Sequence, residues 1–356
     1  MKRRSFLKWF SFLSVTAIFT GGGYRTVKSN TNSYYSGPKS DHFDGLQFFN
    51  PGGKKPKNIT ELFGEFLKGR PKWPKSFPSP YEDKPPRRVH GDQLRVSYVG
   101  HASILLLTEG VNILLDPVWS ERVSPFSFVG PKRVNEPGIK FQNLPPIDLV
   151  LISHNHYDHL DVKTLAALVK AHDPLILAPL GNEKIIRKQA RQARVQTKDW
   201  GETVSFSSSL AVTLEPCHHW SARGTTDRRK ALWAAFVIRT PAGAIYHVGD
   251  TGFHKGINYR QAARKYGGFR LAILPFGAYE PRHFMQAQHQ NPDEAVQGHL
   301  LCQAKYTLGH HWGTFHLTWE TIEDQLRDLS DARKKYGVAK ENFRALLPGQ
   351  VWNLLR

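Results

Sequence analysis

Three histidines and an aspartate lie within six consecutive positions, in the stretch His154-Asn155-His156-Tyr157-Asp158-His159. Neutral imidazoles beside a carboxylate form an N/O ligand set that suits Zn²⁺ best, with Mn²⁺ and Fe²⁺ as alternatives. In an extended chain His154 and His156 point the same way, because they are two residues apart. The chain must then bend for Asp158 and His159 to face a second point. This spacing favours two metal ions over one.

One such stretch supplies at most four ligands, so two metals need further residues, and a carboxylate that bridges both ions is a common solution. Other histidines and aspartates follow predicted strands at His218-His219, Asp250 and His310-His311. Loops that leave a sheet edge often carry catalytic residues. A water shared by two zinc ions loses a proton near neutral pH, so a metal-bridging hydroxide would be the nucleophile of a hydrolase.

The HxHxDH pattern resembles the signature of the metallo-β-lactamase superfamily. The longer run from Leu151 to Asp161 is similar to the branch that contains N-acyl-phosphatidylethanolamine-hydrolysing phospholipase D. Further blocks run in the order of that family from about Leu94 to near the C-terminus. They are Val99–Ala102, Asp116-Pro117, Gly130–Arg133, His219-Trp220, Gly249–Gly252, Gly277–Arg282 and His311–Phe315.

The resemblance implies a set of ligands for each of two zinc ions. It places His154, His156 and His219 on one ion. It places Asp158, His159 and His311 on the other, with Asp250 as the bridge. The tryptophan after His219 and the Trp-Gly-Thr-Phe run after His311 set the register, so His218 and His310 become neighbours of the ligands.

The resemblance also implies candidate catalytic residues. Asp116 would orient the water or carry a proton, Asp158 stands at the metals, and His289 would face the substrate or leaving group. The candidate substrate-binding residues are Trp119, Lys132, Arg133, Tyr279 and Arg282. We expect their aromatic rings, with Phe126 and Phe128, to wall an apolar cleft, and the cations to attract a phosphate.

Strands and helices are predicted in two batches, which fits two mixed β-sheets packed face to face with helices outside. The resemblance implies the same αββα sandwich, with the metals at one edge. The helices are expected at Ile59–Lys68, Val162–Ala171, Glu183–Ala193, Gly256–Tyr266, Asn291–Gln303 and Leu317–Tyr336. The strands are expected at Arg95–Val99, Ser103–Leu107, Asn112–Leu115, Leu149–Ile152, Leu175–Ala178, Leu210–Leu214, Trp233–Arg239, Ala244–Val248, Leu271–Leu274 and Lys305–Gly309.

The cysteine count and the net charge limit the kinds of metal site and binding partner that the chain can have. With only Cys217 and Cys302, neither a disulfide framework nor a thiolate zinc cluster can form. The formal net charge is +19, which suits nucleic acid, an anionic substrate or an anionic membrane surface, and a basic solubilising surface is the alternative. The sequence contains no helix-turn-helix, zinc-finger or RNA-recognition pattern, so we expect a phospholipid or another anionic phosphodiester and a peripheral membrane surface, and no nucleic acid. A homodimer is compatible with the sequence.

The N-terminus carries Arg3-Arg4-Ser5-Phe6-Leu7-Lys8, followed by an apolar run to Thr20. It resembles a twin-arginine export signal, with a plain membrane anchor as the alternative. We therefore divide the chain into a signal or anchor at 1–23, a Pro/Gly/Lys-rich extension at 24–93 and a hydrolase domain at 94–356. The expected location is the periplasm or the outer face of the inner membrane.

The resemblance implies a dinuclear zinc hydrolase of the phospholipase D type. Such an enzyme would release N-acylethanolamine and phosphatidate from N-acyl-phosphatidylethanolamine or a related lipid. One alternative is a superfamily hydrolase of a lactone or of a small cyclic or sugar phosphodiester. The other is an inactive, exported metal-binding envelope protein, against which the complete seven-ligand set argues.

We predict that replacing Arg3 and Arg4 together by lysine leaves the protein in the cytoplasm, because the export machinery reads the arginine pair. Cell fractionation of the wild-type and the double-variant protein measures this. If the double variant reaches the envelope as the wild type does, the segment is a general secretion signal or an anchor instead.

Overall fold

The computed structural model describes residues 31–54 and 69–355. The predicted export signal and the helix predicted at Ile59–Lys68 lie outside these residues. In the first sheet, strand β1 covers Leu94–Gly100, β2 Ser103–Thr108, β3 Val111–Leu115, β4 Leu149–Leu151, β5 Leu175–Pro179 and β6 Arg194–Lys198. In the second, β7 covers Thr203–Ser205, β8 Ala211–Glu215, β9 Ala235–Thr240, β10 Gly243–His247, β11 Phe269–Pro275, β12 Ala304–His310 and β13 Phe343–Ala345. Strand β14, Val351–Leu354, returns to the first sheet beside β1.

The two sheets have seven strands each within the described residues, in the orders β14-β1-β2-β3-β4-β5-β6 and β13-β12-β11-β10-β9-β8-β7. Both are mixed: β3 to β6 and β10 to β13 pair in parallel, and the remaining pairs are antiparallel. The helices are α1 Val162–His172, α2 Glu183–Arg187, α3 Ile257–Tyr266, α4 Arg282–Met285, α5 Pro292–Leu301 and α6 Ile322–Tyr336, with single 3₁₀ turns at Phe141–Asn143 and His254–Gly256. None of the helices in the described part of the chain has the length and apolar character needed to cross a bilayer.

Alternate side chains of the central strands pack into different layers of the core. In β2, Ile104 and Leu106 belong to the cluster between the sheets, whereas Leu105 and Leu107 pack outward with Leu165 of α1. Successive side chains of a strand point to opposite faces, so a strand covered on both faces is apolar throughout. The second sheet packs its outer face against α3 in the same way. The predicted sandwich of two mixed sheets flanked by helices is confirmed.

Two predicted helices differ from the structure. The helix predicted at Glu183–Ala193 ends at Arg187, and the chain continues through a turn into β6, an edge strand that pairs with β5. Residues 188–193 form turns that lead into this strand, and the guanidinium of Arg187 donates to the carbonyl of Ala193 at 2.8 Å, which closes the connection. The helix predicted at Leu317–Tyr336 begins only at Ile322, because Thr321 caps it: its side chain accepts from the amide of Asp324, whose carboxylate accepts from the amide of Thr321. The short strands β6, β7, β13 and β14 were not predicted.

The described parts of the N-terminal extension pack on the domain. Phe43 and Phe48 are buried in one cluster with Trp233. Further along, the Asp83 carboxylate forms an ion pair with Arg95 of β1. The amide of Phe77 donates to the carbonyl of Val134 at 2.6 Å. These contacts make residues 31–54 and 69–93 part of the folded body.

Gly277 lies in the loop after β11 and allows that loop to approach the loop after β12 closely. A Cβ built at this position would overlap the carbonyl oxygen of His311 and lie 3.1 Å from Nε2 of Gln325. We expect Gly277→Ala to lower the free energy of unfolding by about 1–3 kcal/mol, as overpacking in a tight interior does.

The control is Gly224→Ala, whose Cβ would meet only the Asp227 carboxylate, at 3.7 Å. Chemical denaturation of both variants measures the difference. Equal midpoints for Gly277→Ala and the wild type would show that the loop after β12 moves aside at no cost.

Candidate metal centre

The candidate site lies at one edge of the sandwich, where strands of both sheets end. Asp116 directly follows β3, and the loop with the HxHxDH motif follows β4. From the second sheet, loops after β8, β10 and β12 carry His219, Asp250 and His311. Parallel strands present their carboxyl ends at the same edge, so residues far apart in sequence meet there.

The first group of ligand atoms comes from His154, His156, His219 and Asp250. Nε2 of His154 lies 2.9 Å from Nδ1 of His156, and Nε2 of His219 lies 3.2 Å from the same atom. Oδ2 of Asp250 is 3.8 Å from His154 Nε2 and 3.7 Å from His219 Nε2. Four ligands placed tetrahedrally around zinc stand about 3.3 Å apart, as follows from Zn–N bonds of about 2 Å. The group has this spacing.

The second group contains Asp158, His159 and His311, together with His101. Oδ2 of Asp158 is 3.2 Å from His311 Nε2, 3.7 Å from His159 Nε2 and 2.8 Å from His101 Nε2. His101 was quoted in a family block but not proposed as a site residue. His101 directly follows β1, as the other candidates follow strands, and this position was the signal that could have found it.

Asp250 stands between the two groups. Its Oδ2 is 3.2 Å from Nε2 of His159 and 3.2 Å from Nε2 of His311, and it also faces the first group. His289 approaches the same oxygen with Nδ1 at 4.0 Å. The structure thus brings together all seven predicted ligands, and it places the predicted bridge at the point that both groups share.

Residues behind the ligands fix which nitrogen of each ring faces inward. His159 donates from Nδ1 to Asp116 at 2.8 Å, and His219 donates from Nδ1 to the carbonyl of Gln288 at 2.9 Å. Ser153 Oγ lies 3.0 Å from Nδ1 of His154. In each case the hydrogen bond at Nδ1 turns Nε2 toward the centre, the usual arrangement around a metal-binding histidine.

Asp116 lies behind the ligands and is held by several hydrogen bonds. The carboxylate is fully buried, and it accepts from the amide of Ser153 at 2.7 Å and from the Ser153 hydroxyl at 2.6 Å, besides His159. Asp116 therefore positions the motif and His159.

The histidines of the first ligand group have lowered pKa values, whereas two histidines of the second group have raised ones. Burial lowers the pKa of His156 to about 3 and that of His219 to about 4, so both rings are neutral at pH 7 and offer lone pairs. Burial alone would also lower the pKa of His311, but the carboxylates of Asp250 and Asp158 raise it to about 9. The same carboxylates raise the pKa of His159 well above its usual value.

The donor set fits a metal cation. Asp116, Asp158 and Asp250 are all buried, and the histidines around them hold the pKa of each carboxyl below its usual value. Oδ1 of Asp250 is buried without a hydrogen-bond partner among the described residues. Buried negative charge is costly unless a cation balances it, and neutral imidazoles with carboxylates are ligands that zinc prefers.

His218 and His310, which precede the predicted ligands His219 and His311, lie outside the two ligand groups. His218 stacks on His254 at 4.0 Å between ring centroids, and its Nδ1 is 3.0 Å from Nδ2 of Asn258. His310 is fully buried beside His247, with ring centroids 5.5 Å apart. Neither belongs to a group of candidate ligands in the described part of the chain.

The predicted substrate-binding residues are dispersed. Arg133 is buried and donates to the carbonyls of Ser120 and Val118. The other three polar residues are also engaged: Arg282 with Glu294, Tyr279 with Asp328, and Lys132 with Glu121.

Trp119 differs from these four residues, because it lines a cavity of about 570 Å³ together with Tyr81 and Phe141. This cavity is formed by residues 78–82, Trp119 and the loop at 136–142, and the loop at 277–285 does not line it.

Sequence reasoning missed Asn50. Its Nδ2 donates to the carbonyl of His219 at 2.9 Å, and its Oδ1 accepts from Nε1 of Trp233 at 3.0 Å. The extension thus supports a ligand from outside the region of family resemblance.

Comparisons with known proteins agree with this site. Residues 111–312 match the family model described as the Beta-lactamase superfamily domain. The chain is 36% identical over 271 residues to N-acyl-phosphatidylethanolamine-hydrolyzing phospholipase D 1 of Caenorhabditis elegans, covering 73% of this chain and 75% of that protein. A mitochondrial protein of the same description from Saccharomyces cerevisiae is 32% identical over 228 residues, covering 63% of this chain and 48% of that protein.

Solved structures share the fold at low sequence identity. An isothiocyanate hydrolase from Delia radicum gut bacteria has a TM-score of 0.57 at 16% identity, covering 74% of this chain and all of that one. The metallo hydrolase Igni18 of Ignicoccus hospitalis has a TM-score of 0.53 at 17% identity, covering 74% and 98%. The chain therefore belongs to the beta-lactamase superfamily, as a metallo-hydrolase related to the N-acyl-phosphatidylethanolamine-hydrolysing phospholipases D.

Proposed function

We propose that this protein is a dinuclear zinc phosphodiesterase of the phospholipase D type. Its substrate would be N-acyl-phosphatidylethanolamine or a related lipid, and its products N-acylethanolamine and phosphatidate. The observation that carries the proposal is the pair of ligand groups joined at Asp250. The 36% identity to a relative with the phospholipase name supports the substrate class.

In this proposal His154, His156 and His219 hold one ion, and Asp158, His159 and His311 hold the other, with Asp250 shared. When bound, two zinc ions supply an activated water and balance charge on the phosphoryl oxygens. The protein's part is to hold the ligand atoms. Asp116, Ser153 and the Gln288 carbonyl fix the ring orientations that this requires.

His289 is the candidate for proton transfer to the leaving group. Its ring is buried next to His219, and Nδ1 has no hydrogen-bond partner among the described residues. Burial lowers the pKa of His289 well below its usual value, so the ring is neutral at pH 7. A neutral imidazole can give the hydrogen on Nδ1 to a departing alkoxide only while its other nitrogen takes up a proton, such as the one released by the activated water, so His289 would act as a proton relay.

The cavity at Trp119 supports a lipid substrate. Besides Trp119, its lining includes Pro78, Tyr81 and Phe141, and Lys140 stands at its edge paired with Glu82 at 2.8 Å. Five of the eleven lining residues are polar or charged, and the aromatic and proline residues form the apolar part of the wall, the kind of surface that contacts hydrocarbon in binding sites. We infer that this cavity receives an acyl chain.

The pair His219 and His218 tests the ligand assignment. We expect His219→Ala to lower the zinc content and to reduce hydrolysis by orders of magnitude, because a nitrogen that faces the centre is lost. For His218→Ala we expect the metal to be kept and the rate to fall about 10–100-fold or less, as for residues that contact the site indirectly.

Zinc stoichiometry and rate are measured for both variants under identical zinc buffering. Loss of metal in His218→Ala with full metal in His219→Ala would show that the assignment is off by one residue.

The substrate class is tested by a screen of the purified zinc protein. We expect N-acyl-phosphatidylethanolamine to be cleaved at the bond that releases N-acylethanolamine, with product identity measured by mass spectrometry. A lactone and a small cyclic phosphodiester are assayed side by side, with His156→Ala as the inactive control. Turnover of the lactone alone would refute the phospholipase D proposal.

A further inference from the structure

The loop between Ser120 and Arg133 ends in an exposed aromatic tip, which we define as residues Pro125–Phe128. Phe128 is 79% exposed and Phe126 is 45% exposed. Their ring centroids are 5.6 Å apart. No residue from Val123 to Pro131 carries a charge. Two adjacent exposed phenylalanines form a patch that a protein in water leaves uncovered only at a cost in free energy.

The tip is a preformed projection. Ser124 Oγ accepts from the amide of Phe126 at 3.0 Å and donates to its carbonyl at 2.9 Å. Below it, the amide of Val123 donates to the carbonyl of Pro131 at 3.1 Å, and the guanidinium of Arg122 donates to the carbonyl of Gly130 at 2.7 Å. These bonds close the loop at its base, so the aromatic rings project from a fixed support.

The base of the loop is packed against the metal centre. Val123 is buried in one cluster with Phe315, against which Tyr157 of the HxHxDH motif also packs. Arg133 lies over the Phe315 ring at 5.3 Å, and that ring meets His101 of the second ligand group at 5.1 Å. A surface that contacts the tip is thereby held at a fixed distance from the site.

We propose that the aromatic tip inserts into the boundary between headgroups and acyl chains of an anionic phospholipid membrane. Aromatic side chains favour this boundary, and an uncharged stretch can enter it without burying an ion. Arg122 and Lys132 flank the base of the loop against one acid, Glu121, and the chain has a net charge of +19, which complements anionic lipid. The inference rests on the proposed function, since a phospholipid substrate is presented at such a surface.

The first test compares the full-length double variant Phe126→Ser/Phe128→Ser with Ile257→Ser/Leu300→Ser. The control removes apolar side chains that are 45% and 46% exposed, against 45% and 79% in the tip, from another part of the surface. We expect hydrolysis of N-acyl-phosphatidylethanolamine in vesicles of phosphatidylcholine and phosphatidylglycerol to fall about tenfold or more in the tip variant only, the scale of burying a phenylalanine side chain. With a short-chain substrate dispersed in detergent, both variants should match the wild type.

The second test does not depend on hydrolysis. Cys217 and Cys302 are buried, so a cysteine at Phe128→Cys can be labelled selectively with an environment-sensitive fluorophore. We expect a blue shift on adding the same vesicles, and none for the label at Ser208→Cys, an exposed position on the second sheet's edge loop. Because the readout is the position of the label, the result holds even if the substrate screen fails.

Three outcomes would overturn the inference. The label at position 128 could stay in water on vesicles, or the tip variant could hydrolyse vesicle substrate as fast as the control. A change of oligomeric state in Phe126→Ser/Phe128→Ser, measured by sedimentation, would assign the tip to contact with a second copy of the chain.

Discussion

The arrangement of the site depends on one buried carboxylate. Asp250 is 2% exposed and lies between histidine rings that come from both sheets. Positive charge, from protonated histidines or from metal ions, must balance its carboxylate. An isolated buried carboxylate would cost several kcal/mol, so the groups that face Asp250 are constrained in position and in charge. The two ligand groups share one boundary for this reason. Any movement of one sheet edge relative to the other would leave this charge unbalanced.

A second layer of polar contacts transmits the constraint into the fold. Asp116 accepts from the backbone and side chain of Ser153, at the start of the motif, and from His159 at its end. Asn50 holds the His219 backbone from the other side. The extension and both sheets therefore contribute to one network. Such networks are strong when every member is satisfied and costly when one is removed.

The same architecture positions the two features that the proposals assign to lipid. The cavity at Trp119 opens between residues 78–82 and the loop at 136–142, and the aromatic tip rises from a neighbouring loop. In the proposed function the cavity takes an acyl chain while the tip contacts the membrane. Both features are formed by loops after β3, and residues 78–82 of the extension complete the cavity.

The sequence by itself determined the chemistry and the core. The spacing of His154 to His159 set the ligand types, and the apolar runs before them predicted the central strands, because period and residue type are local properties. Tertiary structure decided what local pattern cannot express. The helix predicted at Glu183–Ala193 ends at Arg187, and residues 188–193 turn so that β6 can pair with β5 at the sheet edge. Arg133 was predicted to attract a phosphate, but its guanidinium donates to backbone carbonyls. His101 contacts Asp158 and Asn50 contacts the His219 backbone only because the fold packs them there. Which polar groups remain free depends on partners far away in the sequence, and only the folded chain brings those partners together.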